Sequence, residues 1–228
     1  ENAIILGAGS SDLIFRGLTQ WVRPGSRVLM LDPMYSEYAH VLRHVIGCRP
    51  DTLCLDADND FAVDVEELGR RIASGYDWVV LVNPNNPTGR HIPRPALERL
   101  IKAAPPRTRF WIDETYTDFI GPHESLEKLA ATSENVVVCK SMSKAYALSG
   151  ARVGYLCGAP SMMDTLRARA PPWPGSLVGQ IADFHAILAS DYYAARWHET
   201  VAAASTQAQD IRALGLRVWP PAANFVLC

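Results

Sequence analysis

Nothing in this chain is apolar for long enough to cross a membrane: runs such as Val79-Val80-Leu81-Val82 fall far short of the roughly 18 residues that a spanning helix needs. Its first residues also lack the basic, apolar and small-residue sections of a secretory signal, so a cytoplasmic location is expected. An excess of one charge is missing too. Against 24 acidic residues stand 22 basic ones, a formal net charge of −2, and no basic stripe is present to neutralise a phosphate backbone, which disfavours a nucleic-acid partner. Cysteine is sparse. The five thiols (Cys48, Cys54, Cys139, Cys157 and Cys228) include no Cys-x-x-Cys, and their odd number and wide spacing do not read as a disulfide framework. His40 and His44 lie four apart, but no third ligand stands at a useful spacing, so a metal site is not expected. Internal repeats and low-complexity tracts are also lacking.

What is present is enough apolar material, 48% of 228 residues, to bury a full core. Short β-branched runs alternate with segments of helical period, the pattern of an α/β fold with a mostly parallel sheet sandwiched by helices. Strands are expected at Ile4–Leu6, Val28–Leu31, Trp78–Asn83, Phe110–Ile112, Val136–Cys139 and Ala151–Cys157. Helices are expected at Ser11–Val22, Ser36–Ile46, Val65–Ala73, Arg94–Ala104 and Ser125–Ala131, and a longer helical stretch follows (Met163–Arg169, Leu177–Ala189, Tyr192–Leu214). The proline-rich link Pro171-Pro172-Trp173-Pro174-Gly175 interrupts that stretch and reads as a loop facing the active site. Glu1 is not a methionine and Cys228 falls inside an apolar run, so the chain reads as a piece of a longer protein. Residues 1–200 would form a large domain and 201–228 the start of a smaller one.

Four motifs fall at expected strand ends, where ligands bind in open α/β sheets. Gly7-Ala8-Gly9-Ser10-Ser11-Asp12 could bring free N–H groups and hydroxyls to a helix N-terminus and so receive a phosphate, although a simple strand-to-helix turn would look the same. It is not a G-x-G-x-x-G, because Asp12 takes the last position. In Asn83-Pro84-Asn85-Asn86-Pro87-Thr88-Gly89 the prolines fix an irregular turn whose Asn-Pro bond could be cis, and Asn86 can donate to a phenolate-like oxygen. In Trp111-Ile112-Asp113-Glu114-Thr115-Tyr116, a carboxylate at a buried strand end calls for a cation, such as a protonated pyridine nitrogen. Asp113 or Thr115 could instead cap the next helix. Finally, Ser141-Met142-Ser143-Lys144 leads on to Arg152. A lysine in this uncharged, small-residue stretch would be partly desolvated and hence nucleophilic, and the two hydroxyls with the guanidinium suit a dianionic phosphate.

The sequences N-P-N-N-P-T-G, D-E-x-Y and S-x-S-K-x-x-x-L-x-G-x-R, in this order, resemble the fold-type I pyridoxal-phosphate enzymes, in the branch of histidinol-phosphate aminotransferase and threonine-phosphate decarboxylase. The resemblance runs from about Ile5 to Leu227. It implies pyridoxal 5′-phosphate as cofactor, held in a Schiff base by Lys144, with Asp113 on the pyridine nitrogen and Asn86 and Tyr116 on the ring's 3-oxygen. Tyr35 would stack on the ring, and Gly9, Ser10, Ser11, Ser141, Ser143 and Arg152 would hold the phosphate. It further implies a homodimer that moves an amino group between an amino donor and a 2-oxo acid. Decarboxylation stays open, because the ring stabilises either carbanion, as does a ligand-sensing domain without turnover; an idle remnant is disfavoured, because Lys144, Asp113, Asn86, Tyr116 and Arg152 are all kept together and a buried set of this kind costs stability unless paired. The resemblance implies that the family's small-domain arginine for the substrate carboxylate, and its N-terminal site segment, are expected outside these residues. Ala8 stands where asparagine is common, and Thr115 where alanine is common.

Overall fold

The computed structural model describes residues 2–219 and 222–228. Seven strands form one sheet: β1 (Ile4–Gly7), β2 (Val28–Asp32), β3 (Asp51–Cys54), β4 (Trp78–Val82), β5 (Arg109–Asp113), β6 (Val136–Ser141) and β7 (Gly154–Gly158). Their order across the sheet is β1-β7-β6-β5-β4-β2-β3. The five strands from β3 to β6 run parallel. β7 lies antiparallel to both of its neighbours. The expected α/β architecture is therefore present, with one reversed strand inserted near an edge.

Helices cover the sheet: α1 (Ser10–Trp21), α2 (Ser36–His40), α3 (Val65–Ala73), α4 (Arg94–Ala103), α5 (Glu127–Ala130), α6 (Pro160–Arg167), α7 (Leu177–Leu188) and α8 (Ser190–Ala213). The central strands are buried on both sides, and β4 and β6 are buried at every residue; β4 therefore reads as an unbroken apolar run, whereas β6 ends in the buried Lys140 and Ser141. Against them α1 lays Leu13, Ile14, Gly17 and Leu18, the one-sided pattern of a helix on a sheet. In α3, Asp64 caps the N-terminus by accepting from the backbone N–H of Glu66 and of Glu67.

Three local differences from the expected elements have physical causes. β3 escaped notice because Asp-Thr-Leu-Cys is a half-exposed edge strand with no apolar alternation to reveal it. The helix expected over Ser36–Ile46 changes character at Val41 into a π-helical turn that Gly47, at φ +79°, ends. β7 begins at Gly154 rather than at Ala151, because Arg152 adopts φ +54°, a conformation that no strand contains.

The register places the candidate residues on one edge. Asp113 pairs across to Val82 and to Cys139, while Ser141 and Gly7 both lie opposite Gly154. The loops that leave β1, β2, β4, β5 and β6 and the loop that enters β7 thus open at the same end of the sheet. Beyond α8 the chain turns back, with Trp219 bridged to Leu227 and the ring of Phe225 5.1 Å from that of Tyr116.

Candidate active site

A cavity of about 170 Å³ opens at that edge, lined by Ser10, Ser11, Tyr35, Val82, Asn86, Asp113, Thr115, Tyr116, Ser141, Ser143, Lys144, Ser149 and Arg152. All the residues singled out in the sequence are in this lining except Gly9, which shapes it from behind. Gly9 has φ +86°, and a Cβ there would lie 2.5 Å from Nη2 of Arg152. Only glycine lets the first turn and the guanidinium approach so closely. Gly154 does the same from the sheet side, where a Cβ would come within 3.0 Å of the Ser10 nitrogen.

At this end of the cavity the arrangement suits an anion. α1 starts without a side-chain cap, so its first N–H groups remain available, with the positive end of the helix dipole behind them. Arg152 donates Nη1 to the carbonyl of Ser149 at 3.2 Å and pairs with no carboxylate among the described residues. Its left-handed backbone is a strained conformation held at a cavity wall, where such outliers concentrate. Ser10, Ser141 and Ser143 bring hydroxyls to the lining. Ser11 differs from expectation in one respect: its hydroxyl donates to Oε2 of Glu37 at 3.0 Å, which leaves its backbone N–H as its anion donor.

The other end is built around Asp113. This carboxyl is 3% exposed, and burial pushes it above the ordinary carboxylate range, although donors from Thr115 and Tyr38 pull it back in part. Those donors are neutral, so the described residues bring it no cation. Asn86 Nδ2 donates to the Tyr116 hydroxyl at 3.2 Å, which confirms that two separate motifs converge. Burial also raises the Tyr116 phenol. Tyr35 precedes α2, where burial and then the Glu37 carboxylate push its phenol up to about 12. Within the turn that carries Asn86, both the Asn83–Pro84 and the Asn86–Pro87 bonds are cis.

One expectation needs correction, and one alternative reading falls. Lys144 is exposed at the cavity rather than desolvated by its surroundings. The buried lysine of this segment is Lys140, 4% exposed, with Nζ 3.4 Å from Glu114 and 3.5 Å from Asp118. Burial acts to lower this ammonium, but the carboxylates of Glu114, Asp118 and Glu127 outweigh it and hold it above the normal lysine range. Nor does Asp113 or Thr115 cap a helix: Asp113 folds back onto the Thr115 N–H, and the short 3₁₀ turn that follows has no side-chain cap. Sequence reasoning also missed Tyr38, whose hydroxyl donates to Asp113 Oδ2 at 2.6 Å. The one signal for it was a phenol three residues beyond Tyr35 on a helix face that must be buried.

An unpaired guanidinium with a helix N-terminus at one end, and a buried carboxylate lacking a cation at the other, fit a ligand that carries a phosphate and a protonated ring nitrogen. Pyridoxal 5′-phosphate has both.

Comparison with known proteins agrees. The model of the family aminotransferase class I and II matches residues 1–228. The histidinol-phosphate aminotransferase of Erythrobacter litoralis is 32% identical over 98% of this chain and 61% of its own length. That of Nocardia farcinica is 34% identical, over 96% of this chain and 56% of its own. The crystal structure of histidinol-phosphate aminotransferase from Sinorhizobium meliloti in complex with pyridoxal-5′-phosphate superposes with a TM-score of 0.87 at 25% identity, covering 99% of this chain and 61% of that one. The chain thus spans little more than half the length of these relatives.

Proposed function

The chain belongs to the aminotransferase class I and II family, and from that premise we propose that it forms the cofactor-binding part of a pyridoxal-phosphate-dependent aminotransferase. The reading rests on the cavity itself, which joins a primary amine, an unpaired arginine and a buried carboxylate in one lining. Residues 1–200 would be the large domain and 201–228 the start of a smaller one. The amino donor would be an amino acid or an amino-phosphate compound such as histidinol phosphate, and the acceptor a 2-oxo acid.

When bound, the cofactor supplies an electron sink for the carbanion at the substrate carbon. The chain supplies the rest. Arg152, the hydroxyls of Ser10, Ser141 and Ser143, and the first turn of α1 bind the phosphate and anchor one end. Asp113 receives the ring N–H and keeps that nitrogen protonated. Asn86 and Tyr116 orient the 3-oxygen, and Tyr35 covers a ring face. Lys144, the primary amine of the lining, would be the residue that holds the cofactor. With the cofactor bound, the Lys144 amine would also be the group placed to accept and donate a proton at the substrate carbon. Its exposed position gives the side chain room for both tasks.

A homodimer is part of this proposal. Leu177, Ile181, Phe184 and Leu188 form an i, i+4, i+7, i+11 stripe on α7, each at least half exposed, and Trp173 on the preceding loop is 89% exposed. A continuous apolar stripe of this kind marks a surface covered by a partner. We also place the protein in the cytoplasm: all five cysteines are free thiols, the state that a reducing compartment maintains. Among the described residues no helix is long and apolar enough to cross a membrane.

The test is a transamination assay on the full-length protein with pyridoxal phosphate, pairing histidinol phosphate and a panel of amino acids with 2-oxoglutarate. Stoichiometric formation of glutamate supports the proposal. Release of carbon dioxide without glutamate would replace it with decarboxylation, and no turnover of any donor would leave a binding domain.

A further inference from the structure

Asp113 receives more hydrogen bonds from this chain than are needed to hold it in place. Its Oδ1 accepts from Thr115 twice, from the backbone nitrogen at 2.9 Å and from Oγ1 at 2.6 Å. Its Oδ2 accepts from the hydroxyl of Tyr38 at 2.6 Å. Trp111 Nε1, which can only donate, lies 2.9 Å from the same phenolic oxygen, and the Cys139 thiol is the phenol's third neighbour. The phenol accepts from the indole and turns its single proton to the carboxylate. Tyr38 and Trp111 are fully buried and Thr115 nearly so, so water does not compete for these contacts.

An ionised carboxylate offers about four acceptor positions. Three are filled here, both of those on Oδ1 and one on Oδ2, which leaves one. We propose that Thr115 and Tyr38 are positioning residues for the cofactor's ring nitrogen: they hold Asp113 ionised and fix its rotation so that Oδ2 alone receives the ring N–H. The proposal rests on the cofactor reading above. It also gives a role to Thr115, the residue of the Asp-Glu-Thr-Tyr motif that departs from the commoner alanine. The side-chain contact of Thr115 is separate from its backbone contact, so removing the hydroxyl opens one acceptor position without moving the loop.

Donors to a carboxylate favour its charged form, whereas burial disfavours it; the Glu37 carboxylate works in the same direction as burial, and the Cys139 thiol and the Tyr35 and Tyr116 phenols are the other titratable groups that face Asp113. Losing the Thr115 hydroxyl therefore raises the pH at which Asp113 ionises, and cofactor affinity, which needs the ionised form, falls off at a higher pH than in the wild type. The experiment uses the full-length apo protein as wild type, Thr115→Ala, Thr115→Val, Thr115→Ser and Tyr38→Phe. Pyridoxal-phosphate affinity is measured by tryptophan quenching from acid to neutral pH. In parallel, carboxyl-stretch infrared titration without cofactor is referenced to Asp113→Asn.

In Thr115→Ala and Thr115→Val the acid limb of affinity and the infrared midpoint both move to higher pH, and Thr115→Ser restores them. Within the shifted limb the alanine variant binds roughly tenfold more weakly or worse, as expected for losing one hydrogen bond to a charged group. Tyr38→Phe moves both in the same direction. Coincident limbs for all variants, or a loss of affinity equal at every pH, would overturn the proposal and leave Thr115 with a packing role. Wild-type protein that binds no cofactor at any pH overturns the cofactor reading instead. The infrared titration separates the two failures, because it follows Asp113 in the apo protein.

Discussion

Lys140 and Lys144 are four residues apart, yet the structure gives them opposite environments, and replacing Lys140 by methionine tests that assignment. The side chain is 5% exposed between Glu114 Oε2 at 3.4 Å and Asp118 Oδ2 at 3.5 Å. Each attraction is of order 4–5 kcal/mol at an effective dielectric of about 20, but the cost of burying the ions offsets much of that. Removing one member of such a cluster leaves buried charge unpaired and costs about 3–5 kcal/mol. Glu114 retains two donors, Ser125 Oγ at 2.6 Å and the Leu126 N–H at 2.7 Å, so a loss toward the lower end is expected. For a chain of this size that lowers Tm by roughly 6–12 °C. The sign of the pH dependence follows from Glu114, whose carboxyl burial already raises above its normal value while Lys140 pulls it down. Without Lys140 it rises further. A folded carboxyl that binds its proton more tightly than the unfolded one loses stability as pH climbs from the unfolded to the folded pKa. The deficit of Lys140→Met should therefore be largest at neutral pH and shrink on acidification. Urea unfolding at several pH values is the assay. A deficit under 1 kcal/mol at neutral pH, or one independent of pH, would refute the reasoning.

Other outcomes follow from the same geometry. Gly9→Ala forces a Cβ against Arg152 at a backbone conformation close to glycine-only; calorimetry should register a loss of about 1–3 kcal/mol together with weakened cofactor binding. Arg152→Lys replaces a planar fork with a point charge, so affinity for pyridoxal phosphate should drop roughly tenfold or more, while affinity for phosphate-free pyridoxal stays as it was. Phe184→Glu places a charge in the apolar stripe of α7, and light scattering should find the full-length protein shifted from dimer to monomer.

Much of the site was legible because its chemistry is carried by residues that are costly anywhere else. An aspartate ending an apolar strand, an asparagine among prolines and glycines at a strand-to-helix turn each ask for a partner, and these motifs converge on one cavity, although Asn83 and Asn85 instead hold the turn through Ile92, Pro33 and Thr88. Strand-end placement was legible too, since β4 and the middle residues of β5 and β6 are apolar on both faces. What stayed hidden depends on direction and tertiary contact. Side chains alternate along β6, so Cys139 and Ser141 face one way and Lys140 the other; without knowing which face meets Glu114, sequence cannot tell the ion-paired lysine from the free one. Tyr38 looked like any helix-face aromatic until β5 brought Asp113 to it. β3 carries no periodic signal because its edge position demands none.

The most direct test reduces the full-length protein with borohydride in the presence of pyridoxal phosphate and maps the label by mass spectrometry. The account requires one covalent label per chain on the peptide containing Lys144, located at Lys144 rather than Lys140 and lost in Lys144→Ala. A label at Lys140, or a protein that takes up cofactor yet yields no stable adduct, would contradict it.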